Sequence, residues 1–357
     1  MLMFKVLQMF QIFDDVETVE RYGRGHINRT YFAKGKDHYY ILQMMDCSLF
    51  DNPKKTIDNT ISVCDHLLER NPDGDQYVDL YTADHQRFIE LKNTIWHGFS
   101  IPKNLQLFKK IVDDKMTKAI GKVIGGFHHS LNDFPLEKLH TTISNNHNFT
   151  QAFERMSHAS SIDAHHRDML AFNETKFIND RIHAMNLIDE LMVAGKIPTR
   201  VAHNNIRLNN ILFDPAGFKY AALIGFDAVS KGTVLYDLGD TVRHLLSTTR
   251  EDEINLNFVG INLDYFKTFI EGYFEEIAGL LTSFEEEHIV DAIWIMSLEE
   301  AMRYNTDFLE NDVTYPVEYP LQNHDRAKNQ IQLVKFVEEH YDQMKKMVKE
   351  SKKNVHM

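Results

Sequence analysis

The stretch that decides the fold reads HNNIRLNNILFD at residues 203–214, and AALIGFDAV follows it at residues 221–229. Each stretch joins a short apolar run to a run of polar residues. The residues between them include Pro215 and Gly217, which are typical of a tight turn. The pattern predicts a polar loop, a strand, a turn and a second strand, so the two stretches form a β-hairpin preceded by a loop.

The bulk composition indicates a soluble globular protein with two lobes. The chain has 357 residues, which is more than one compact core usually holds, and its hydrophobic content of 43% is ordinary. Its formal net charge of -13 argues against a general nucleic-acid binder, which would show a basic face. The two cysteines, Cys47 and Cys64, make no disulfide framework, so we expect a cytoplasmic protein.

No membrane association is expected from the apolar segments. The N-terminal apolar run is broken by Lys5, Gln8 and Gln11, which predicts an amphipathic first helix and not a signal peptide. No stretch approaches the roughly 18 uninterrupted apolar residues that a membrane span needs.

The pattern of the first lobe is that of a sheet carrying a helix. Residues 16–45 alternate apolar and polar side chains around glycine-containing turns, which predicts three short antiparallel strands. Residues 53–69 have apolar residues at near-helical spacing, and residues 76–91 return to a strand-like pattern. We therefore expect an N-lobe at residues 1–92.

The remainder, residues 93–357, is expected to form a larger and mostly helical C-lobe. A long amphipathic helix is predicted at residues 109–131, and mostly helical segments are predicted at residues 149–156, 164–195 and 237–348, with the polar loop and hairpin set between the last two. The order of elements predicts an α+β fold with a small sheet-plus-helix lobe and a large helical lobe.

The loop and the second strand carry a recognisable spacing of polar residues. His203 begins the loop, Asn205 follows, and Asn210 comes five residues after Asn205. This spacing resembles the N-acetylhexosamine kinase branch of the aminoglycoside phosphotransferase and choline kinase superfamily. That branch typically shows His-Asn-Asp-Thr-Lys-x-Asn-Asn-x-Leu-Phe-Asp, followed by Ile-Asp-x-Asp.

The resemblance extends over most of the chain. Similar segments are GRGHINRTYF at 23–32, YILQMMD at 40–46, LHTTISNNHN at 139–148, GTVLYDLGDTVR at 232–243, RYNTDFLENDVTY at 303–315 and NHDRAKNQIQLV at 323–334. It implies a two-lobed, protein-kinase-like fold and ATP-dependent phosphate transfer to a sugar hydroxyl. It also implies ATP and magnesium as cofactors and a nucleotide and a sugar as ligands; the sequence does not indicate a protein partner.

The departures from the family pattern fall on residues that carry chemistry. Asn205 stands where the family has the Asp that serves as base, and an amide accepts no proton at neutral pH. Arg207 replaces a Lys and keeps a cation. Gly225 replaces the metal-binding Asp, so one magnesium carboxylate is absent. Residues 203–214 and 221–229 thus form a degenerate catalytic loop and metal strand.

The N-lobe shows two further departures. The family Asp of the glycine-containing loop is Arg29, and the family Arg of the third strand is Met44, so a phosphate-facing cation is expected to be missing. The candidate nucleotide-binding residues are Gly25, Asn28 and Gln43. A tight turn between strands explains Gly25 equally well.

The candidate metal ligands are Asn210 and Asp227. Residues 225 and 227 of a strand would share a face about 6.6 Å apart, well beyond a magnesium–oxygen distance of about 2.1 Å. Asp227 would therefore replace the lost carboxylate only if the ion or the strand moved. The family also has an Asp at this position, so its presence indicates inheritance.

Several other residues have a structural interpretation beside the functional one. Arg303 and Tyr315 lie in segments that resemble the family's sugar site and are the candidate substrate residues; a structural role explains them equally well. His203 is expected to brace the loop through hydrogen bonds. No partner is evident for His97 or His147, which are interpreted as ordinary core or surface histidines.

These observations predict a catalytically impaired sugar-kinase relative, a pseudokinase that acts by binding a ligand or partner, with weakened binding of ATP and magnesium. The alternative is an active ATP-dependent phosphotransferase with altered metal use, acting on an N-acetylhexosamine or a related hydroxyl substrate. A third interpretation is a purely structural protein with a closed pocket.

Overall fold

A computed structural model of the chain describes residues 2–22, 28–47, 52–70, 78–141, 147–219, 221–277 and 279–355. The helices are α1 Leu2–Met9, α2 Pro53–Arg70, α3 Asp114–Ser130, α4 Phe149–Ile162, α5 Asp168–Asn179, α6 Ile182–Met185, α7 Leu187–Val193, α8 Val234–Leu245, α9 Leu263–Ile277, α10 Ser283–Glu287, α11 Ile289–Leu309 and α12 Gln322–Val355. The strands are β1 Val16–Tyr22, β2 Asn28–Gly35, β3 Tyr39–Asp46, β4 Val78–Asp79, β5 Phe88–Leu91, β6 Thr94–Ile101, β7 Gln106–Leu107, β8 Arg200–Ala202, β9 Ile211–Phe213, β10 Ala221–Leu223 and β11 Ser230–Gly232.

The chain forms two compact units. The first comprises residues 1–119, 130–144 and 203–231, and the second comprises residues 120–129, 145–202 and 232–357. The first unit therefore contains the polar loop and its hairpin as well as the N-terminal sheet. The lobe boundary expected after residue 92 stays a prediction.

The first unit is built on an antiparallel sheet in the order β1-β2-β3-β6-β4, with β5 also paired to β6. The three strands predicted for residues 16–45 are confirmed. Because successive side chains of a strand point to opposite faces, the sheet has two distinct surfaces. On one surface, Val6 of α1 and Phe10, which follows the helix, belong to the same buried cluster as Leu42, Met44 and Trp96.

Helix α2 covers the opposite surface of the sheet, where Ile57 packs in one cluster with Met45 and Ile95. The helix begins at Pro53, a residue that suits the first helical position because its missing N–H needs no partner there. Asn52 caps this end, since its Oδ1 accepts a hydrogen bond of 3.2 Å from the Lys55 backbone N–H.

The second unit is helical and is organised around α11, whose residues are nearly all buried. Gly239 lets α8 approach this helix closely, because a Cβ at that position would overlap the carbonyl oxygen of Ala292.

The helix predicted from residue 109 begins five residues later, at Asp114. Asp113 is the reason, because its Oδ1 caps the Met116 N–H at 2.9 Å.

Residues 164–195, predicted to be mostly helical, contain three short helices, α5, α6 and α7. Across the described parts of the chain, no helix combines the length and the apolar character needed to cross a membrane.

Candidate functional site

The polar loop and the segment that follows β10 are brought together by the hairpin of β9 and β10. Ile211 pairs with Leu223 and Phe213 with Ala221 in antiparallel register. All three residues of β9 are buried, which explains why this strand is wholly apolar. The register places residue 210 beside residue 224, and the Ile224 N–H donates to the Asn210 backbone oxygen at 2.9 Å. The predicted hairpin is confirmed.

His203 ties these two segments together. Its ring is fully buried. The Asn205 backbone N–H donates to Nδ1 at 3.3 Å, so Nδ1 is the acceptor and Nε2 carries the proton. Nε2 in turn lies 3.2 Å from the backbone oxygen of Ile224 and donates to it. The histidine therefore braces the loop with both nitrogens, as its structural interpretation expects.

Asn205 and Asn210 are linked within the loop. The Asn210 side-chain N–H donates to the backbone oxygen of Asn205 at 2.9 Å. Asn205 is half-buried and Asn210 is buried. Arg207 lies between them in sequence and donates from Nη1 to the Ile206 backbone oxygen at 3.0 Å. The loop therefore holds its shape through side chains that in a kinase would face substrate and metal.

Gly225 adopts a left-handed conformation, with φ at 83° and ψ at 51°. A Cβ on Gly225 would lie 2.9 Å from both Cγ and Oδ1 of Asn210 and 3.1 Å from Nδ2. Both the torsion angle and the lack of space favour glycine. The Asn210 amide thus occupies the space in which a side chain at position 225 would begin.

Asp227 is not on a strand, contrary to the expectation that residues 225–227 are extended. β10 ends at Leu223, and residues 226–228 form a single 3₁₀ turn. The same-face argument for residues 225 and 227 is therefore wrong, because it holds only for extended backbone. The Asp227 carboxylate is 2% exposed, and its Oδ1 lies 2.8 Å from Nε2 of His97 on β6.

The hydrogen-bond partner of His97 could not be identified from the sequence. His97 is the only titratable residue of β6, TIWHGFSI, which is otherwise almost entirely buried. A buried polar side chain in such a strand has a hydrogen-bond partner as a rule, and that is the signal that would have flagged it. The sequence gives no means of finding Asp227 as that partner, 130 residues away.

Helix α2 also holds the segment after β10. The Asn59 side-chain N–H donates to the backbone oxygens of His140 at 2.9 Å and Val229 at 3.0 Å, and its Oδ1 accepts from the His140 N–H at 2.9 Å. Thr60 donates from Oγ1 to the Phe226 backbone oxygen at 3.2 Å. Both side chains are buried, so the turn containing Asp227 is fixed from the helix as well as from the sheet.

The strand register separates the N-lobe candidates onto two faces. Gln43 pairs with His97 and Met44 with Trp96, so Gln43 shares the face of His97 whereas Met44 lies on the face covered by α1. Arg29 pairs with Met44 and lies on that second face. Gln43, and not Met44, is therefore the residue of β3 on the face that reaches Asp227, and the expected loss of a phosphate-facing cation stays a prediction.

Gln43 is 2% exposed, and within the described ranges its Oε1 has no hydrogen-bond partner. Of the other nucleotide candidates, Gly25 lies outside the described residues, and the structure describes Asn28 only as the first residue of β2.

The two candidate substrate residues belong to a polar cluster in the second unit that surrounds the buried side chain of Glu299. Glu299 on α11 lies 2.6 Å from Nη2 of Arg303 through Oε1 and 2.7 Å from Nδ1 of His147 through Oε2. Burial favours a raised pKa for Glu299, but the charges of Arg303 and His147 outweigh it and lower the pKa to about 2. His147, for which no partner was evident, is thus paired with a carboxylate.

Tyr315 joins this cluster through Arg303, to which it is hydrogen-bonded, and burial raises the pKa of its hydroxyl. The loop that carries it is fixed by Asp307, whose two carboxylate oxygens accept the N–H groups of Thr314 at 2.7 Å and Tyr315 at 2.9 Å. The structure therefore brings Arg303 and Tyr315 together.

The residues present do not fit the magnesium site that the resemblance implies. Magnesium takes near-octahedral oxygen ligands, including one or two carboxylates. Position 225 has no side chain, and the one carboxylate of this segment, Asp227, is engaged by His97. In the part of the chain that the structure describes, no group of three or more His, Cys, Asp or Glu side chains is placed to hold a metal ion.

The fold is shared with solved structures of small-molecule kinases. A microcompartment-associated aminopropanol kinase matches with a TM-score of 0.64 at 14% identity, over 95% of this chain and 98% of that one. A spectinomycin phosphotransferase in complex with ADP and spectinomycin matches with a TM-score of 0.56 at 12% identity, over 97% of each chain. A choline kinase from Cryptosporidium parvum Iowa II matches with a TM-score of 0.54 at 12% identity, over 96% of each chain.

These likenesses define a kinase-like α+β protein with an antiparallel sheet in one lobe and a helical second lobe, as the sequence predicts. The chain belongs to the phosphotransferase enzyme family, whose profile matches residues 18–268. The expected superfamily is confirmed, while the N-acetylhexosamine branch stays a prediction.

Proposed function

We propose that this chain is a catalytically impaired member of the phosphotransferase enzyme family that binds a nucleotide and a small hydroxyl-bearing ligand. The observation that carries the proposal is the pairing of Gly225 with Asn210. The metal-binding carboxylate is absent, and the neighbouring amide fills its place. Together with Asn205 at the base position, this leaves the loop without either acidic group that phosphate transfer would use.

A slow residual transfer is compatible with this proposal. Phosphoryl transfer passes through a loose transition state in which positioning and electrostatics carry most of the catalysis. Asn205 would orient the attacking hydroxyl through a hydrogen bond, and Arg207 would offset negative charge. No residue of the loop would accept the proton, so it would pass to solvent and the rate would be low.

The proposed small ligand is an N-acetylhexosamine or a related sugar. Support comes from the segments that resemble the N-acetylhexosamine kinases and from the polar cluster of Arg303, Tyr315, Glu299 and His147. Arg303 keeps more than a third of its side chain exposed while its other side is fixed by Glu299. A guanidinium held in this way presents N–H donors to a ligand hydroxyl or carbonyl at a small entropic cost.

A second candidate is an active phosphotransferase with altered metal use, for which the buried carboxylate of Asp227 is the motivating observation. In this case Asn210 and Asp227 would hold the metal. Replacing Asp227 by alanine would then abolish magnesium-dependent nucleotide binding, whereas Asp58→Ala, an exposed change on α2, would leave it unchanged.

The deciding experiment measures phosphate transfer from γ-labelled ATP to N-acetylhexosamines with the purified chain. We expect a rate far below the roughly 1–100 s⁻¹ that is typical of kinases. A turnover in that range would contradict the proposal and favour the second candidate.

Thermal unfolding in the presence of nucleotides and sugars tests ligand binding separately. A ligand that binds only the folded state raises the midpoint of unfolding. We expect a shift with a nucleotide, with a sugar or with both together. No shift with any of them would favour a purely structural or partner-binding role over both proposals.

A further inference from the structure

The poor fit to magnesium and the neutral residues at positions 205 and 225 both bear on the form in which a nucleotide binds. We infer that the first unit binds a nucleoside triphosphate as the metal-free anion, without a divalent cation. This inference rests on the proposed nucleotide-binding function and specifies the form of the ligand. The position concerned is residue 225, where the family pattern has a magnesium-binding carboxylate.

The space for that carboxylate is closed. Any side chain at position 225 would begin within 3.1 Å of all three outer atoms of the Asn210 amide. The same amide donates to the Asn205 backbone oxygen at 2.9 Å, which holds it there. The Asn210 amide therefore fills the space beside Gly225 and links two parts of the loop. This position does not suit a metal ligand.

The remaining carboxylate is held away from a cation by its own partners. Asp227 is buried against His97, and its turn is fixed by the Thr60 hydroxyl on α2. A metal that bound the Asp227 Oδ1 would have to compete with the His97 ring for that oxygen. The side chains that make these contacts are buried. Moving any one of them would leave a buried polar group without a hydrogen-bond partner.

The charge facing the phosphates balances without a metal. Relative to the family pattern, Asn205 and Gly225 remove two negative charges, and loss of Mg²⁺ removes two positive ones; Arg29 and Met44 lie on the opposite sheet face and are not counted here. A triphosphate therefore meets the same net charge as in the metal-loaded family site. The carboxylates that would otherwise repel its oxygens at short range are gone.

Gln43 supplies a polar group that still lacks a partner. It shares the sheet face of His97, it is 2% exposed, and its Oε1 is unpaired within the described ranges. A buried amide end without a partner is costly, and a ligand that pairs with it recovers that cost. A half-turn of the amide presents N–H donors, which suit a phosphate oxygen.

The test is calorimetric titration of the whole chain with ATP at constant ionic strength, once with EDTA and once with excess MgCl₂. We expect ATP to bind in EDTA at least as tightly as in MgCl₂, because excess magnesium converts the metal-free anion into its magnesium complex. An ATP affinity that falls by about fivefold or more in EDTA overturns the inference and leaves nucleotide binding intact. Absence of ATP binding under both conditions overturns the inference and the proposed nucleotide-binding function together.

A pair of variants on neighbouring positions tests whether Gln43 takes part. Gln43→Met keeps the volume and removes the amide, and we expect it to weaken ATP binding in EDTA by about tenfold. Met44→Leu is the matched control, because it conserves volume on the opposite face of the same strand. Equal ATP affinity in the two variants would remove Gln43 from the site, and circular dichroism establishes that both are folded.

Discussion

At the residue scale, the departure from the family pattern at Gly225 is linked to the position of a neighbouring side chain, Asn210. The sequence predicts that Asn205 and Gly225 lack the carboxylates of the family pattern. It does not predict that the Asn210 amide lies where a side chain at position 225 would begin, because that depends on the left-handed backbone at Gly225. A torsion angle of this kind is set by the tertiary fold and has no signature in a single sequence.

Adding a Cβ at position 225 should destabilise the protein. Gly225→Ala would place a methyl group against Asn210 and force a non-glycine residue into the left-handed region. We expect the free energy of unfolding in urea to fall by about 2 kcal/mol or more, from strain and overlap together. An unchanged urea midpoint would contradict the close approach of the two residues.

Gly195→Ala is the matched control for this change. Gly195 has a φ of 69° and no atom within 4 Å of a Cβ built on it, so alanine there meets strain without overlap. We expect a smaller loss, of about 1 kcal/mol. The difference between the two variants isolates the contribution of Asn210.

Glu299 should make the second unit sensitive to acid. Its pKa of about 2 in the folded protein is below the ordinary value of 4.5, so its ionised form stabilises the fold above pH 4.5. This contribution, about 3 kcal/mol, is lost as the pH falls from 4.5 towards 2. Glu299→Gln should lower the free energy of unfolding at neutral pH and flatten its decline over that interval.

Urea unfolding measured at a series of pH values tests the Glu299 prediction. Glu154→Gln, on the exposed face of α4, is the control and should follow the wild-type curve. If Glu299→Gln and wild type lose stability in parallel between neutral pH and pH 2, the stabilising role assigned to the carboxylate is wrong.

At the scale of elements, the apolar spacing of α2 predicts the bounds of the helix but not its buried polar contacts. Its apolar spacing predicts the helix and its extent closely, since the structure ends it one residue later, at Arg70. The buried polar residues Asn59 and Thr60 do not follow from that spacing. Their partners are backbone groups between 81 and 170 residues away in sequence, and no local pattern indicates them.

Removing the Asn59 side chain should loosen the turn that contains Asp227. Asn59→Ala would leave the buried backbone groups of His140 and Val229 without their partners. We expect a loss of about 2–4 kcal/mol in the free energy of unfolding, since each buried unpaired group costs about 1–3 kcal/mol. Hydrogen exchange should also become faster at the amide of His140, which donates to Asn59.

Asp58→Ala is the matched control for the change at Asn59, because Asp58 directly precedes Asn59 on the same helix and is exposed. It should leave both the stability and the His140 exchange rate near wild type. Equal exchange rates at His140 in the two variants would refute the role given to Asn59.

At the scale of the whole molecule, sequence resemblance predicts the fold class and the order of elements well. Motifs spread from residue 23 to residue 334 are enough for that. The compact units are not contiguous in sequence, and the first gathers residues 203–231 with residues 1–119. Linear patterns describe local elements, so they do not indicate that the polar loop belongs to the same unit as the N-terminal sheet.

An N-terminal fragment should therefore not fold alone. Residues 1–119 lack β9, which pairs with β7, and β10, which pairs with β9, and they lack the backbone groups that Asn59 and Thr60 bind. We expect the purified fragment to show no cooperative thermal transition by circular dichroism, whereas the full chain shows one. A sharp transition in the fragment would show that the sheet and its two helices are sufficient.

The packing of the Asn210 amide against Gly225 bears on how readily this chain could regain the family's reaction. Restoring an Asp at position 225 first meets the amide, and restoring an Asp at position 205 first gains nothing without a metal. Each single step is thus costly or neutral, and only concerted changes are favourable. Under the proposed function, the contact between Asn210 and Gly225 therefore acts as a barrier to restoring an acidic side chain at position 225 alone.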